Sequence, residues 1–314
     1  MSFSKKKLPI SVVIPTLNCR EKLERHLEDS KEWFPKVGQI IAVDSNSTDG
    51  TLELLRDVLT PYGAEIITTG LGLYRAWNLG VAKATQPYIY FSTIGEILEE
   101  NALEEMCHFI ELEACDVLIS PPRMVNEFNQ PIEKKWPIHR IQEVFSENCV
   151  TVPSADQLLI LSTFSIPESI IGSSASNLYK SNILKKLPFP ENFGMIGDVI
   201  WALENLPLLR VCICGNHFAT FCFDGDRSTS WEKSHEIMNL INAHVIQLLE
   251  KNIWPKNIMT LAIQHNIFEK KEKLSVAMDY DKWIKSIFSS SFNRFKINTI
   301  DSFSLRTYLE KFFS

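Results

Sequence analysis

Short apolar runs alternate with amphipathic stretches through the first 120 residues. Ile10 to Ile14, Ile40 to Val43, Glu65 to Thr68, Tyr88 to Phe91 and Asp116 to Ile119 are rich in β-branched and apolar residues, as expected of strands covered on both faces. Between them, Glu21 to Trp33, Thr51 to Leu59, Leu73 to Ala84 and Glu99 to Leu112 carry apolar residues at helical spacing. This alternation predicts an α/β architecture of the nucleotide-binding type, a largely parallel sheet flanked by crossover helices.

The rhythm breaks at residues 121 to 170, where prolines at 121, 122, 131, 137, 153 and 167 predict loops, hairpins and short helices laid across the carboxyl edge of the sheet. Regular structure is predicted again over Tyr179 to Lys186, in a helix from Asp198 to Leu206, and in strands near Leu209 to Cys214 and Ala219 to Phe223. From Trp231 onward the pattern is helical, with Ile237, Leu240, Ile241, His244, Val245 and Leu248 tracing one face. Residues 1–230 therefore read as the main domain and 231–314 as a helical C-terminal appendage, whose aromatic residues suit a packing module or a homodimer surface.

A net charge of −6 offers no positive field for a polyanion, so nucleic acid is not an expected partner. Residues 232–314 hold 12 Lys/Arg against 9 Asp/Glu and are only mildly basic. No apolar run approaches the roughly 18 residues that span a bilayer, and the stretch after Lys5 to Lys7 is short and proline-bearing, so the expectation is a cytoplasmic protein whose contact with the inner membrane face would be peripheral. Seven cysteines, mostly within apolar runs, read as reduced core thiols, with no disulfide expected. Cys212 and Cys214 lack zinc-site spacing.

Ligands of open α/β sheets lie beyond the carboxyl ends of the strands, and the loops there are polar. The first holds Pro15, Thr16 and Asn18; the second runs from Asp44 through Asn46 and Asp49 to Thr51; the third holds Ser92, Thr93, Gly95 and Glu96. Asp44 leaves an apolar strand with a carboxylate able to accept hydrogen bonds from a base or ribose, whereas Asp49 suits a cap for the helix that follows.

Ser11 to Asn18 and Val43 to Thr51 together resemble the opening of the family 2 inverting glycosyltransferases of the GT-A fold. Two further segments match in order: Gly72, Tyr74, Ala76, Asn78 and Gly80 resemble the family's Gly-x-Tyr-x-Ala-x-Asn-x-Gly helix, and Gly197–Asp198 before a Trp-bearing helix resembles its catalytic motif. The likeness covers residues 8 to about 230. It implies a GT-A type, Rossmann-like mixed sheet, a nucleoside-diphosphate sugar donor, and a saccharide or lipid-linked acceptor. It assigns Asp198 as the base, and Pro15, Thr16, Asn18, Asp44, Asn46, Arg75, Asn78 and Arg227 to the donor side. Ile171 to Asn177 resembles the family segment lining the acceptor, though turn chemistry also accounts for it. Asp224 to Trp231 resembles the segment closing over the diphosphate, while His217 reads as structural.

The resemblance also implies a divalent ion, Mg²⁺ or Mn²⁺, but the family's paired aspartates after the fourth strand are missing. Gly95 stands where the main metal-binding Asp is expected, leaving Glu96 to ligate the ion or cap the next helix. Without metal, Arg75 or Arg227 would offset the leaving-group charge. The rival reading is a non-catalytic sugar-nucleotide-binding protein on the same fold. A nucleotidyltransferase is disfavoured because no glycine-rich, lysine-bearing first loop is present.

Overall fold

The computed structural model describes residues 7–133, 136–142, 150–153 and 168–223, with isolated positions between 158 and 165 and between 237 and 248. β1 (Leu8–Thr16) is followed by α1 (Arg20–Ser30), β2 (Val37–Asp44), α2 (Thr51–Leu59), β3 (Glu65–Thr68), α3 (Leu73–Lys83) and β4 (Tyr88–Phe91). Next come β5 (Glu96–Leu98), α4 (Ala102–Leu112), β6 (Val117–Ile119), β7 (Arg123–Asn126), α5 (Pro137–Gln142) and β8 (Val150–Thr151). β9 (Leu178–Lys180), α6 (Ser181–Lys186), α7 (Gly197–Asn205), β10 (Val211–Cys214) and β11 (Ala219–Phe223) complete the described elements.

Eight strands form one mixed sheet in the order β3-β2-β1-β4-β9-β6-β10-β8, and β5-β11-β7 form a second, smaller sheet. The first four strands of the large sheet run parallel, while β9 lies antiparallel between β4 and β6. Because β2 and β4 flank β1 on opposite sides, the chain reverses its winding there, and the crevice beyond the carboxyl ends opens at that point. The register brings Thr16, Asp44 and Thr68 level at the rim.

Side chains alternate across the sheet, as the period of two requires. Val13, Ile41, Val43, Ile89 and Phe91 face α3 and α7 in one core; Val12, Ile14, Ile40, Ala42 and Tyr90 face α1, α2 and α4 in the other. Gly80 lets α3 lie close on β1, since a Cβ there would sit 2.4 Å from Val13 Cγ1. The expected C-terminal face meets this body where it is described: Ile241 and Leu248 are buried with Trp201, and His244 Nε2 lies 2.8 Å from Glu204 Oε1. The rest of that appendage, and with it the homodimer surface, lies outside the described residues.

Two expectations change. The helix predicted from Glu99 begins at Ala102, because Glu96–Leu98 pairs antiparallel with β11, a long-range contact that overrides local propensity. The cysteines are not all free: Cys115 and Cys212 form a disulfide. They are 97 residues apart, yet Cys115 lies just before β6 and Cys212 on β10, whose pairing sets Leu118 opposite Cys212. The bridge overturns the expectation that the cysteines are all reduced core thiols. Among the described residues no helix is long and apolar enough to cross a membrane.

The bridge closes a long loop, so Cys212→Ser should lower stability by about 2–4 kcal/mol in urea unfolding. Alkylation of the denatured, unreduced chain should modify at most five of the seven cysteines; modification of all seven would show the pair open.

Candidate active site

The loops after β1 and β2 are locked together by Asp44. Its Oδ1 accepts hydrogen bonds from Thr16 Oγ1 (3.0 Å) and Ser47 Oγ (2.6 Å), and its Oδ2 from the Ser47 amide (2.8 Å). The carboxylate is wholly buried. Asp44, expected from the sequence to hold the nucleoside, is enclosed by these partners and braces the two loops around it. Asn18 and Asn46 both take left-handed backbone conformations, which asparagine tolerates well. Asn18 Oδ1 accepts from the Thr48 amide (2.9 Å), and its own amide donates to Ser47 Oγ (2.8 Å). Pro15 is half-buried, and Asn46 is exposed at the rim. Asp49 caps as expected: Oδ1 accepts from the Thr51 amide and hydroxyl, and Oδ2 from the Arg20 amide.

Asp198 sits in the first turn of α7, half-buried. Tyr74, buried in the first turn of α3, donates its hydroxyl to Asp198 Oδ1 at 2.8 Å and lies 3.2 Å from the Met195 carbonyl. The two residues are 124 positions apart, and glycine makes the contact possible: a Cβ on Gly197 would meet the Tyr74 ring at 2.4 Å. Tyr74 stacks on Phe189, Phe189 on Trp201, and Trp77 on Phe91, giving Asp198 an aromatic floor. Burial raises the carboxyl pKa above its ordinary value; the Tyr74 hydroxyl and backbone amides pull it partly back. Burial, with the Asp198 charge beside it, also pushes the Tyr74 phenol up, so the phenol stays protonated as a donor. Asp44 and Asp198 share the carboxyl edge but belong to opposite layers: Val43 faces α3, which carries Tyr74, so its neighbour Asp44 faces the α1–α2 side.

Asn78 was expected on the donor side, but its amide is turned to the chain itself. Nδ2 donates to the Phe189 carbonyl (2.8 Å) and Glu191 Oε1 (3.1 Å), while Oδ1 accepts from the Phe189 amide (2.9 Å). It therefore fixes the segment leading to Asp198. Arg75 is exposed, with its guanidinium over Gly70 at the turn into α3. Arg227 and the segment 224–230 lie outside the described residues.

Glu96 does not stand at the rim as a metal ligand. It is buried at the start of β5, accepts a hydrogen bond from Ser173 Oγ, and lies near His26, which bonds Ser92 Oγ at 2.8 Å. Burial pushes the His26 imidazole pKa down to about 4. Thr93, Ile94 and Gly95 add no carboxylate, and among the described residues no three His, Cys, Asp or Glu side chains gather around a common point. Mg²⁺ can be held by one carboxylate with substrate phosphates and water, but Glu96, the carboxylate of this loop, is buried and bonded to Ser173, so the described residues offer such an ion a poor site. Ile171 to Asn177 is a buried turn, with Asn177 bridging the Ser120 amide and the Ile171 carbonyl. His217 Nδ1 bonds the Pro121 carbonyl, as a structural histidine does. A cavity of about 250 Å³ opens between α1 and the small sheet; of the expected site residues only Glu96 lines it, so the chemistry is read from the rim. The helix motif by itself gives Tyr74 no role, but its spacing to Asn78 places both on the α3 face that meets the Asp198 segment.

Residues 11–159 match the family described as Glycosyl transferase family 2. A cholesterol galactosyltransferase of Borreliella burgdorferi is 22% identical over 329 residues, covering 98% of this chain and 82% of that one. S. aureus TarS 1–349 in complex with UDP superposes at a TM-score of 0.55 with 18% identity, over 88% of this chain and 78% of that one. Against the longer S. aureus TarS the TM-score is 0.53 at 17% identity, and this chain, matched over 76% of its length, spans only 39% of that protein. A mannosyltransferase of Pyrobaculum calidifontis, in complex with GDP-Man and Mn²⁺, gives 0.52 at 14% identity, over 79% and 66% of the two chains. The solved structures establish the GT-A fold.

Carbon-detected NMR should place the Asp198 carboxyl titration above the ordinary aspartate value, and Tyr74→Phe should move it higher still, because the lost hydrogen bond favours the ionised form. A titration at or below the ordinary value in the unmodified chain would contradict this environment.

Proposed function

The chain carries a glycosyl transferase family 2 domain on a GT-A fold and is a glycosyltransferase, and from that premise we propose that it transfers a sugar with inversion from a nucleoside-diphosphate donor to a hydroxyl of a saccharide or lipid-linked acceptor. The observation that carries this reading is Asp198: a carboxylate at the carboxyl edge of the sheet, half-buried, held by Tyr74, with its proton affinity raised by burial. A base poised in this way suits removal of a proton from an alcohol as it attacks.

In the reaction the acceptor oxygen bonds to the anomeric carbon on the face opposite the diphosphate. The bond from that carbon to the diphosphate oxygen breaks, its electron pair leaves with the diphosphate, and the hydroxyl proton passes to Asp198. Thr16, Asn18 and Asn46, on loops braced by Asp44, would border the nucleoside. Arg75, at the amino end of α3, would stabilise the departing diphosphate with its guanidinium and the helix's amino end. No step is assigned to a divalent ion. UDP and GDP-Man in the fold neighbours support a nucleoside-diphosphate sugar as donor, and the galactosyltransferase relative keeps a lipid acceptor beside a saccharide one. The binding-only reading draws on the missing carboxylates at Thr93 to Gly95.

Asp198→Asn should lower transfer by about 10²–10⁴-fold while leaving donor affinity in place. Its thermal midpoint at neutral pH should hold or rise. With the folded pKa raised, the ionised group is disfavoured above that pKa, and the penalty is relieved only as pH falls towards the ordinary value. Donor binding without turnover in the unmodified chain would select the binding-only reading.

Transfer should persist in excess chelator and fall at least about tenfold in Arg75→Gln. A rate restored only by added Mn²⁺ would reverse the assignment of the leaving-group charge to Arg75.

A further inference from the structure

We propose that His26 is a positioning residue for the donor: from α1 it fixes the Ser92–Glu96 loop as one wall of the crevice in which the nucleoside diphosphate lies. This deepens the transferase reading and rests on it. Asp44 joins the loops after β1 and β2, whereas the loop after β4 borders the same crevice and takes its anchor elsewhere. β4 pairs with β1 on the side away from β2, and the Ser92 amide donates to the Val13 carbonyl at 2.9 Å. The loop therefore leaves the carboxyl edge where the winding reverses, which is where ligands of open α/β sheets lie. Thr93, Ile94 and Gly95 are half-buried there. The turn they make is closed by the Glu96 amide on the Thr93 carbonyl (3.1 Å), with Gly95 at a φ of +88°. Its two ends are held separately: Ser92 Oγ lies 2.8 Å from His26 Nε2, and the Glu96 carboxylate accepts from Ser173 Oγ. The His26 ring also bonds the Glu96 backbone, so one imidazole reaches both ends.

Packing alone does not call for an imidazole at this point. His26 shares the buried face of α1 with Leu23, Leu27 and Ser30 and is 5% exposed. An apolar side chain would fill the position without desolvation cost, whereas a buried ring stabilises the fold only through the bonds it makes. Burial keeps the ring neutral, so one nitrogen donates while the other accepts. The start of the same helix is tied to the loop after β2: the Arg20 amide donates to Asp49 Oδ2 and Arg20 Nη1 to the Gly50 carbonyl, both at 3.0 Å. α1 thus holds the second loop at its amino end and the third through His26, and it sets one relative to the other.

The test titrates the full chain calorimetrically with UDP, GDP, ADP and CDP, and carries the tightest of them through His26→Ala, Ser92→Ala and the double variant. The expected result is a Kd raised about tenfold in each single variant and no further in the double, because both changes break one contact. His26→Gln, whose amide still donates and accepts, should recover most of the affinity. Thermal unfolding of the same proteins separates positioning from simple support. A merely structural histidine would lower the melting temperature while leaving the Kd of the folded variants within about twofold of the unmodified chain, and that result would overturn the inference. Additive losses in the double variant would overturn it as well. Ser92→Ala removes only a hydroxyl, so the comparison stands even where His26→Ala does not fold. In each of these outcomes the transferase reading survives. A chain that binds none of the four nucleotides and turns over none of their sugar derivatives would defeat that reading, and this inference with it.

Discussion

One hydrogen bond organises the site: the buried Tyr74 hydroxyl to the Asp198 carboxylate. It joins the helix after β3 to the helix before β10, and so converts two remote stretches of chain into one corner of the sheet. A buried carboxylate is expensive to ionise, and a neutral donor lowers that cost without neutralising the charge. The phenol suits this task because its own pKa is driven upward, which keeps its proton in place. An arginine or lysine at the same point would hold the carboxylate ionised but weaken it as a base.

The neighbouring residues serve that bond. Gly197 leaves space for the Tyr74 ring, so a larger residue could not stand here without moving the tyrosine. Asn78 clamps the backbone at Phe189, whose ring stacks on both Tyr74 and Trp201. On the other layer Asp44 plays a comparable internal part, binding the first two rim loops to each other through Thr16 and Ser47. The site is thus braced by two buried carboxylates, one closed within protein and one half-open at the edge.

Much of the fold could be read locally. Thr51–Leu59, Glu65–Thr68, Tyr88–Phe91 and Ala219–Phe223 occur where periodicity places them, because their apolar spacing is set by the faces they bury. Three-residue strands such as Glu96–Leu98 and Leu178–Lys180 carry too little pattern to announce themselves and exist only through long-range pairing. The same limit hid the Cys115–Cys212 bridge and the role of Tyr74, each of which depends on residues about a hundred positions away. Motif resemblance singled out Asp198, Asn78 and Glu96 without saying what each side chain would bond within the fold. A motif records which residue types recur, while the atoms those residues bond are decided by the surrounding chain, here Phe189 for Asn78 and Ser173 for Glu96.

The central claim, that Asp198 receives the acceptor proton, is tested most directly by a crystal structure of the chain with an unreactive donor analogue and an acceptor bound together. The account predicts an Asp198 carboxylate oxygen within about 2.6–3.2 Å of the acceptor hydroxyl, with that hydroxyl facing the anomeric carbon opposite the diphosphate and Tyr74 still bonded to the carboxylate. An acceptor hydroxyl seated against a different base, with Asp198 turned away from it, would contradict the account.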